Sequence, residues 1–352
     1  MGAMRLEPRE RVPIWMAGVA PLLAIAAALL LCSGLILWAG ESVLSSFALL
    51  LKGAFGSTFA LSETLNRATP LIFTGLAAAV AFRAKFWNIG AEGQFYFGAL
   101  AVTWIGTGLI ELASPLMIPL LFLSGAAAGG LLLYLPVVLK TRLKVDEVVT
   151  TLLLNFVVLL LVGYLIEGPW KDPMSLGWPQ AAPVIDEGTL PKLVPKTRLH
   201  LGFVIALIAA LAAWWLMAKT VWGYEIRAVG HNAEAASFAG ISVNGTVLRT
   251  ALISGGLAGC AGVSEVAGLK GYLTLDLSPG FGYAGIAVAM LAQLHPLGVV
   301  ASAVFLSAIF VGADSMSRST AVPSYIADVV TAVSLLLVLL SVMLVRFRVR
   351  RG

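Results

Sequence analysis

Charge is scarce in this 352-residue chain: only 12% of residues are Asp, Glu, Lys or Arg, about half the share usual in soluble domains. That excludes a water-soluble enzyme or binding module as the bulk of the chain. Histidine (three) and cysteine (two) are scarcer still. Cys32 and Cys260 fall inside apolar runs, where cysteine is a small packing residue, and they imply neither a disulfide framework nor a zinc site. No Gly-Lys-Ser/Thr occurs, so the chain has no phosphate loop with which to hydrolyse ATP. Gly280, Gly282 and Gly285 have dinucleotide-loop spacing, but they open an apolar segment with no strand before it and no acidic residue about 20 positions on. An intramembrane enzyme lacks support too, because no His/carboxylate metal spacing or nucleophile/base pair occurs within the apolar runs.

What fills the chain is hydrocarbon. Hydrophobic residues make up 59% and mean hydropathy is +0.95, the mark of a polytopic membrane protein. A helix of about 20 apolar residues crosses the bilayer core with its amides bonded internally. Such runs lie at 14–38, 64–82, 89–110, 116–139, 147–166, 201–218, 248–268, 283–294, 297–313 and 325–345, so the expectation is an all-α membrane domain over 1–352 with about ten spans. The eighth run is short and Pro296 follows it, so a broken helix is the alternative. The first run is longer than a signal core and is read as an anchor.

Lys and Arg favour the cytoplasmic ends of spans. With the N-terminus inside, 15 of the 23 fall on that side, including Arg83, Lys85, Arg227 and the C-terminal RFRVRR. Both termini are therefore expected in the cytoplasm, with 167–200 an external, periplasmic loop and 219–246 a cytoplasmic one. The net charge of +5 then suits helix ends and anionic lipid rather than nucleic acid.

Gly125/Gly129 and Gly255/Gly259 have the spacing that lets helix backbones approach closely. TGLAAAVAF (74–82) resembles GGLAGCAGV (255–263), and NIGAEGQ (88–94) parallels GFGYAGI (280–286). Both pairs lie five spans apart. An odd offset gives two inverted repeats, with Gly-rich helix ends near a pathway. Polar residues at membrane depth are the pathway candidates: Asn66, Asn88, Glu92, Gln94, Asn155 and Gln293. Glu92 and Gln94 have a second reading, capping the Gly-rich start of the third span. Asn155 has one as well, a hydrogen bond to a neighbouring helix. The three His lie at run ends and the run centres are nearly uncharged, which argues against a proton relay.

The 219–246 loop contains Glu234-Ala235-Ala236-x-x-x-Gly240, small residues able to form a low knob for a partner's cleft. With TLNRATPLIFTGLAAAVAFRAKFWNIGAEGQ (64–94), DEVVTTLLLNF (146–156), GYEIRAVGHNAEAASFAGISV (223–243) and GYAGIAVAMLAQLHPLG (282–298), in that order, it resembles the ABC importer permeases for branched-chain amino acids, simple sugars and nucleosides. The external GPWKDPMSLGWPQAAPV (168–184) is most similar to the nucleoside subgroup that uses a basic-membrane-protein-type binding protein.

The resemblance implies a type II-like importer fold in the bacterial inner membrane. It implies a second permease, a cytoplasmic ATP-binding subunit and a periplasmic binding protein as partners. ATP and Mg belong to the ATPase, and this chain binds no cofactor. It places ATPase coupling at Gly223, Arg227, Gly230, Asn232, Glu234, Ala235, Ala236 and Gly240, and makes the solute a nucleoside or simple sugar. The competing class is an ATP-independent secondary carrier or channel.

Overall fold

The computed structural model describes residues 4–8, 14–320 and 323–351. In chain order the elements are β1 (Met4–Pro8), α1 (Ile14–Trp38), α2 (Val43–Phe55), α3 (Thr58–Arg83), α4 (Ala91–Gly106), α5 (Ser114–Leu143), α6 (Glu147–Glu167), α7 (Gly202–Lys219), α8 (Val221–His231), α9 (Ala233–Phe238), α10 (Val243–Glu265), α11 (Phe281–Leu291), α12 (Pro296–Ser319), α13 (Ser324–Arg346) and β2 (Phe347–Arg351). The architecture is helical. Strands among the described residues are confined to one antiparallel ribbon that pairs Met4 with Arg351 and Pro8 with Phe347. Arg9 and Arg11, near the N-terminus and so within the set of 15 cations expected on the cytoplasmic side, lie outside the described residues.

Each of the ten apolar runs coincides with a helix, and α2, α8 and α9 are additional. Among the described residues, seven helices are long and apolar enough to cross a membrane, or eight if α1 and α2, bent by 118° at their junction, make one span. The count of ten full crossings is not reached on length and composition. At 1.5 Å per residue the 16 residues of α4 and 11 of α11 reach about 24 and 16 Å, short of the ~30 Å hydrocarbon core. The missing lengths are the irregular stretches 84–90 and 271–280. Long helix, break, short helix therefore occurs twice, as α3, 84–90, α4 and as α10, 271–280, α11.

The chain forms two compact units. Met1–Thr64 with Phe305–Gly352 make the first, and Leu65–Val304 the second. In the first, α1 packs along α13, and Cys32, Ile36, Leu50, Ala313, Met316 and Val330 form a core. In the second, α10 packs against α4 and α5. The two small-residue pairs explain how: a Cβ on Gly259 would collide with the Gly125 carbonyl, and one on Gly129 with the Gly255 carbonyl. Gly98 and Gly262 do the same between α4 and α10. Without side chains the backbones touch and gain dispersion contacts that lipid cannot replace.

The 167–200 segment is strapped to this core by main-chain bonds, Ala181 N to Leu273 O (3.0 Å), Val184 N to Gly271 O (2.8 Å) and Leu190 N to Ala267 O (2.8 Å). The last of these reaches a single π-helical turn, Val266–Lys270, that ends α10. His200 is buried against that turn, where its ring fills the space left by the missing side chain of Gly268. Its Nδ1 accepts from Gly202 N (3.1 Å), and burial lowers its pKa to about 4.

Candidate functional site

A break in a buried helix leaves amides and carbonyls without partners, and each must be satisfied by something nearby. At the first break, 84–90, the partners come from one face of α6. Glu147, Thr151 and Asn155 stand four residues apart and so line up on that face. Glu147 Oε1 accepts from Trp87 N (3.3 Å), Thr151 Oγ1 from Ile89 N (3.2 Å) and Asn155 Oδ1 from Gly93 N (2.8 Å). Asn155 Nδ2 donates to Ile89 O (3.0 Å) and Tyr283 Oη (3.1 Å). Lys140 pairs with Glu147 and holds its carboxylate in place. Within the break, Asn88 and Gln94 form a reciprocal carboxamide pair, with both bonds at 2.9 Å. Asn88 also accepts from Gly90 N (3.0 Å) and donates to Ser254 Oγ (3.0 Å).

At the second break the partners come from α4. Glu92 Oε2 accepts from Gly282 N at 2.6 Å. One turn on, Tyr96 Oη donates to Leu275 O (2.5 Å) and accepts from Ser278 N (3.1 Å). Ser278 Oγ accepts from Phe281 N (2.8 Å), and Thr74 Oγ1 donates to Phe281 O (3.0 Å). Arg67 stacks over the Phe281 ring at 5.6 Å. The start of α4 and the start of α11 thus abut, since a Cβ on Gly282 would strike the backbone of Glu92. Two positive helix ends meet here in apolar surroundings, and the Glu92 carboxylate lies where their fields add.

The 219–246 segment is a clamped stem with a free tip. Thr220 Oγ1 caps α8 by accepting from Gly223 N (3.1 Å), and Gly223 lies so close to Leu216 and Met217 that any side chain there would strike their backbone. Arg227 donates to the Met217 carbonyl at the end of α7, and Gly230 rests on the Arg83 carbonyl at the end of α3. Asn232 breaks the helix and caps α9, its Oδ1 accepting from Ala235 N (3.0 Å). Glu234 and Ala235 are exposed, Ala236 is buried, and Phe238 is 94% exposed. Gly240 ends the tip at φ +83°, with open space where a side chain would be.

The profile of the family described as "Branched-chain amino acid transport system / permease component" matches residues 60–339. The chain belongs to this family. The permease is 37% identical to the guanosine ABC transporter permease protein NupP of Bacillus subtilis over 320 residues, 90% of the chain and 92% of the relative. It is 34% identical over 364 residues to the glucose ABC transporter permease protein TsgB13 of Haloferax volcanii, covering 99% of the chain and 95% of the relative. It is 31% identical over 320 residues to the nucleoside ABC transporter permease protein NupB of Lactococcus lactis, at 89% and 88% coverage. The last two organisms each hold a more distant second match, NupC at 26% and TsgC13 at 27% identity. No solved structure matches the permease.

The permease brings Asn88, Glu92, Gln94 and Asn155 together around the two breaks, all buried. Asn66 is also buried, on α3 one residue before Arg67, and its Oδ1 has no partner among the described residues. Gln293 lies apart, exposed in the left-handed turn (φ +53°) after α11. The run through residue 294 hides that helix end from a hydropathy reading. Of the residues expected to couple to an ATPase, Gly223, Arg227, Gly230, Asn232 and Ala236 build the stem, while Glu234, Ala235 and Gly240 are at the tip. Phe238 was not singled out from sequence, although an aromatic ring among Ala and Ser in a polar loop was a signal. Thr151 and Tyr96 were missed because their partners are remote in sequence.

Proposed function

We propose that this permease forms one half of the membrane pathway of an ATP-driven nucleoside importer in the cytoplasmic (inner) membrane. The observation that carries the reading is the exposed α9 tip, with Glu234, Ala235 and Phe238, on a stem packed against the end of α3 and bonded to the end of α7. Force applied to such a tip is delivered to helix ends rather than absorbed in a loop. The names of the nucleoside and guanosine relatives support the solute class. A simple sugar is the second reading, favoured by the glucose permease relative that covers nearly the whole chain.

An ATPase subunit, the user of ATP and Mg, docks on the tip. A periplasmic binding protein delivers solute on the other face, and a second, non-identical permease completes the pathway, as the paired matches in two organisms suggest. The placement of Lys and Arg supports a cytoplasmic location for both termini. The recurrence of long helix, break and short helix supports an inverted repeat. Asn88, Gln94 and Asn155 spend their hydrogen-bonding capacity inside the protein, so their role beside the pathway is to shape the two breaks, with Glu92 joining one to the other.

Co-purification from native membranes tests the proposal. Recovery of a second permease and an ATPase, with hydrolysis stimulated by nucleoside-loaded binding protein, is the expected outcome. A lone oligomer that transports without ATP would replace it with the secondary carrier.

A further inference from the structure

The external segment singled out in the sequence carries a feature that coupling does not use. At the end of α4 remote from the coupling stem, Trp104 and Trp170 line one cavity of about 250 Å³ together with Thr103, Thr107, Lys171 and Ala181. Trp104 is 60% exposed and the Lys171 side chain is at the surface.

The walls are fixed. Lys171 and Ala181 form an antiparallel bridge, Ala181 is tied to Leu273, and Trp170 N donates to Leu165 O (2.8 Å). The nearby carboxylate is turned away, since Asp172 accepts from Met174 N (2.9 Å) and Gln180 Nε2 (3.3 Å).

The chemistry of the lining is selective. Sugar hydroxyls ask for donors and acceptors in pairs, typically carboxylates and carboxamides, and the lining contains neither. Two indoles and an ammonium instead suit a flat π-system bearing carbonyl oxygens, with stacking from the rings and donation from lysine. The volume lies just below the ~300–1,000 Å³ usual for drug-sized ligands, enough for one nucleobase with its sugar at the mouth. From here α4 runs to Glu92 and the junction of the two breaks, about 18 Å along the helix at 1.5 Å per residue.

We propose that this cavity is a nucleobase subsite, which receives the base of an incoming nucleoside against indole with Lys171 donating to a ring carbonyl. The proposal rests on the nucleoside-importer reading above. The bland role of such tryptophans is anchorage at the membrane surface, and the two roles are separable.

The test uses the assembled importer in nanodiscs without its binding protein, titrated with guanosine and separately with glucose, with binding followed by ligand-observed NMR. Guanosine should bind and glucose should not. Base-on-aromatic stacking sets the expected loss for Trp104→Ala or Trp170→Ala at about 10- to 100-fold. Trp170→Phe, which keeps a ring, should retain binding, and Lys171→Met, a surface change, should weaken it. Should an alanine variant fail to assemble, the Lys171→Met and Trp170→Phe pair decides. Absence of guanosine binding, binding unmoved by these variants, or equal binding of glucose overturns the subsite. Nucleoside uptake with the binding protein present is measured alongside: uptake without binding here removes the subsite alone, whereas no nucleoside uptake at all removes the importer reading beneath it.

Discussion

Asn155 offers a quantitative trial of the brace at the first break. Its side chain is fully buried and makes three hydrogen bonds, to Gly93 N, Ile89 O and Tyr283 Oη. Asn155→Leu keeps the approximate volume and removes all three. Tyr283, whose hydroxyl oxygen accepts from Asn155, is 40% exposed and can take another donor, but the Gly93 amide and the Ile89 carbonyl are fixed in the backbone around the start of α4. Each buried group left unpaired costs about 1–3 kcal/mol, so the variant should lose about 2–6 kcal/mol. Asn155→Asp keeps an acceptor for Gly93, and when protonated has one O–H to donate where asparagine donated twice, so it should fall between wild type and leucine. Thermal denaturation of the purified importer in one detergent, with midpoints compared across the three proteins, ranks them directly. If instead Asn155 touches solute, the leucine variant should keep its midpoint and change the apparent KM for uptake. An unchanged midpoint would refute the brace.

Gly259→Leu should abolish folded permease, because the side chain would enter the Gly125 backbone and overpacking costs about 1–3 kcal/mol even where neighbours can move; fluorescence-detected size exclusion of a tagged chain reads this. Phe238→Ala should leave the thermal midpoint unchanged while weakening ATPase binding by about 2 kcal/mol, the scale of a central aromatic anchor, as measured by co-purification at graded subunit concentration. Gly240→Ala meets no atom but forces a side chain into the left-handed region, at about 1–2 kcal/mol, so it should shift the tip's hydrogen exchange before it affects docking. His200 gives a pH dependence. Its folded pKa of about 4 lies below the ordinary histidine value of 6.5, so its contribution is complete above pH 6.5, where both states are neutral. It is lost as pH falls toward 4, because the unfolded chain takes up the proton first, by about 3 kcal/mol at 1.36 kcal/mol per unit. Denaturation midpoints from pH 7.5 to 4.5 should fall more steeply in wild type than in His200→Phe.

What could be read from sequence follows the reach of each signal. Ten apolar runs located ten helices because burial in lipid needs only composition, and the Gly125/Gly129 and Gly255/Gly259 spacings identified packing faces because close approach needs only missing side chains. The sequence could not say that those two pairs pack on each other. Glu92 shows the same limit. A carboxylate at a helix N-terminus was anticipated, but it serves the start of α11, 190 residues away, rather than its own helix. α2 escaped notice because Val43–Phe55 carries Ser45, Ser46 and Lys52 within an apolar stretch, and only its sharp bend from α1 defines it. The DEVVTTLLLNF motif was legible as a likeness, while its physical reason, three acceptors at helical spacing facing a broken neighbour, required the neighbour to be placed.

The two braces differ in when they become available. A ribosome delivers residues 87–93 about sixty residues before Asn155, so during synthesis the Trp87, Ile89 and Gly93 amides wait for acceptors that come only with α6. The second break is made last and finds Glu92 and Tyr96 already waiting. The interval between α4 and α6 is therefore the one in which these amides lack their acceptors, whereas no such interval precedes α11.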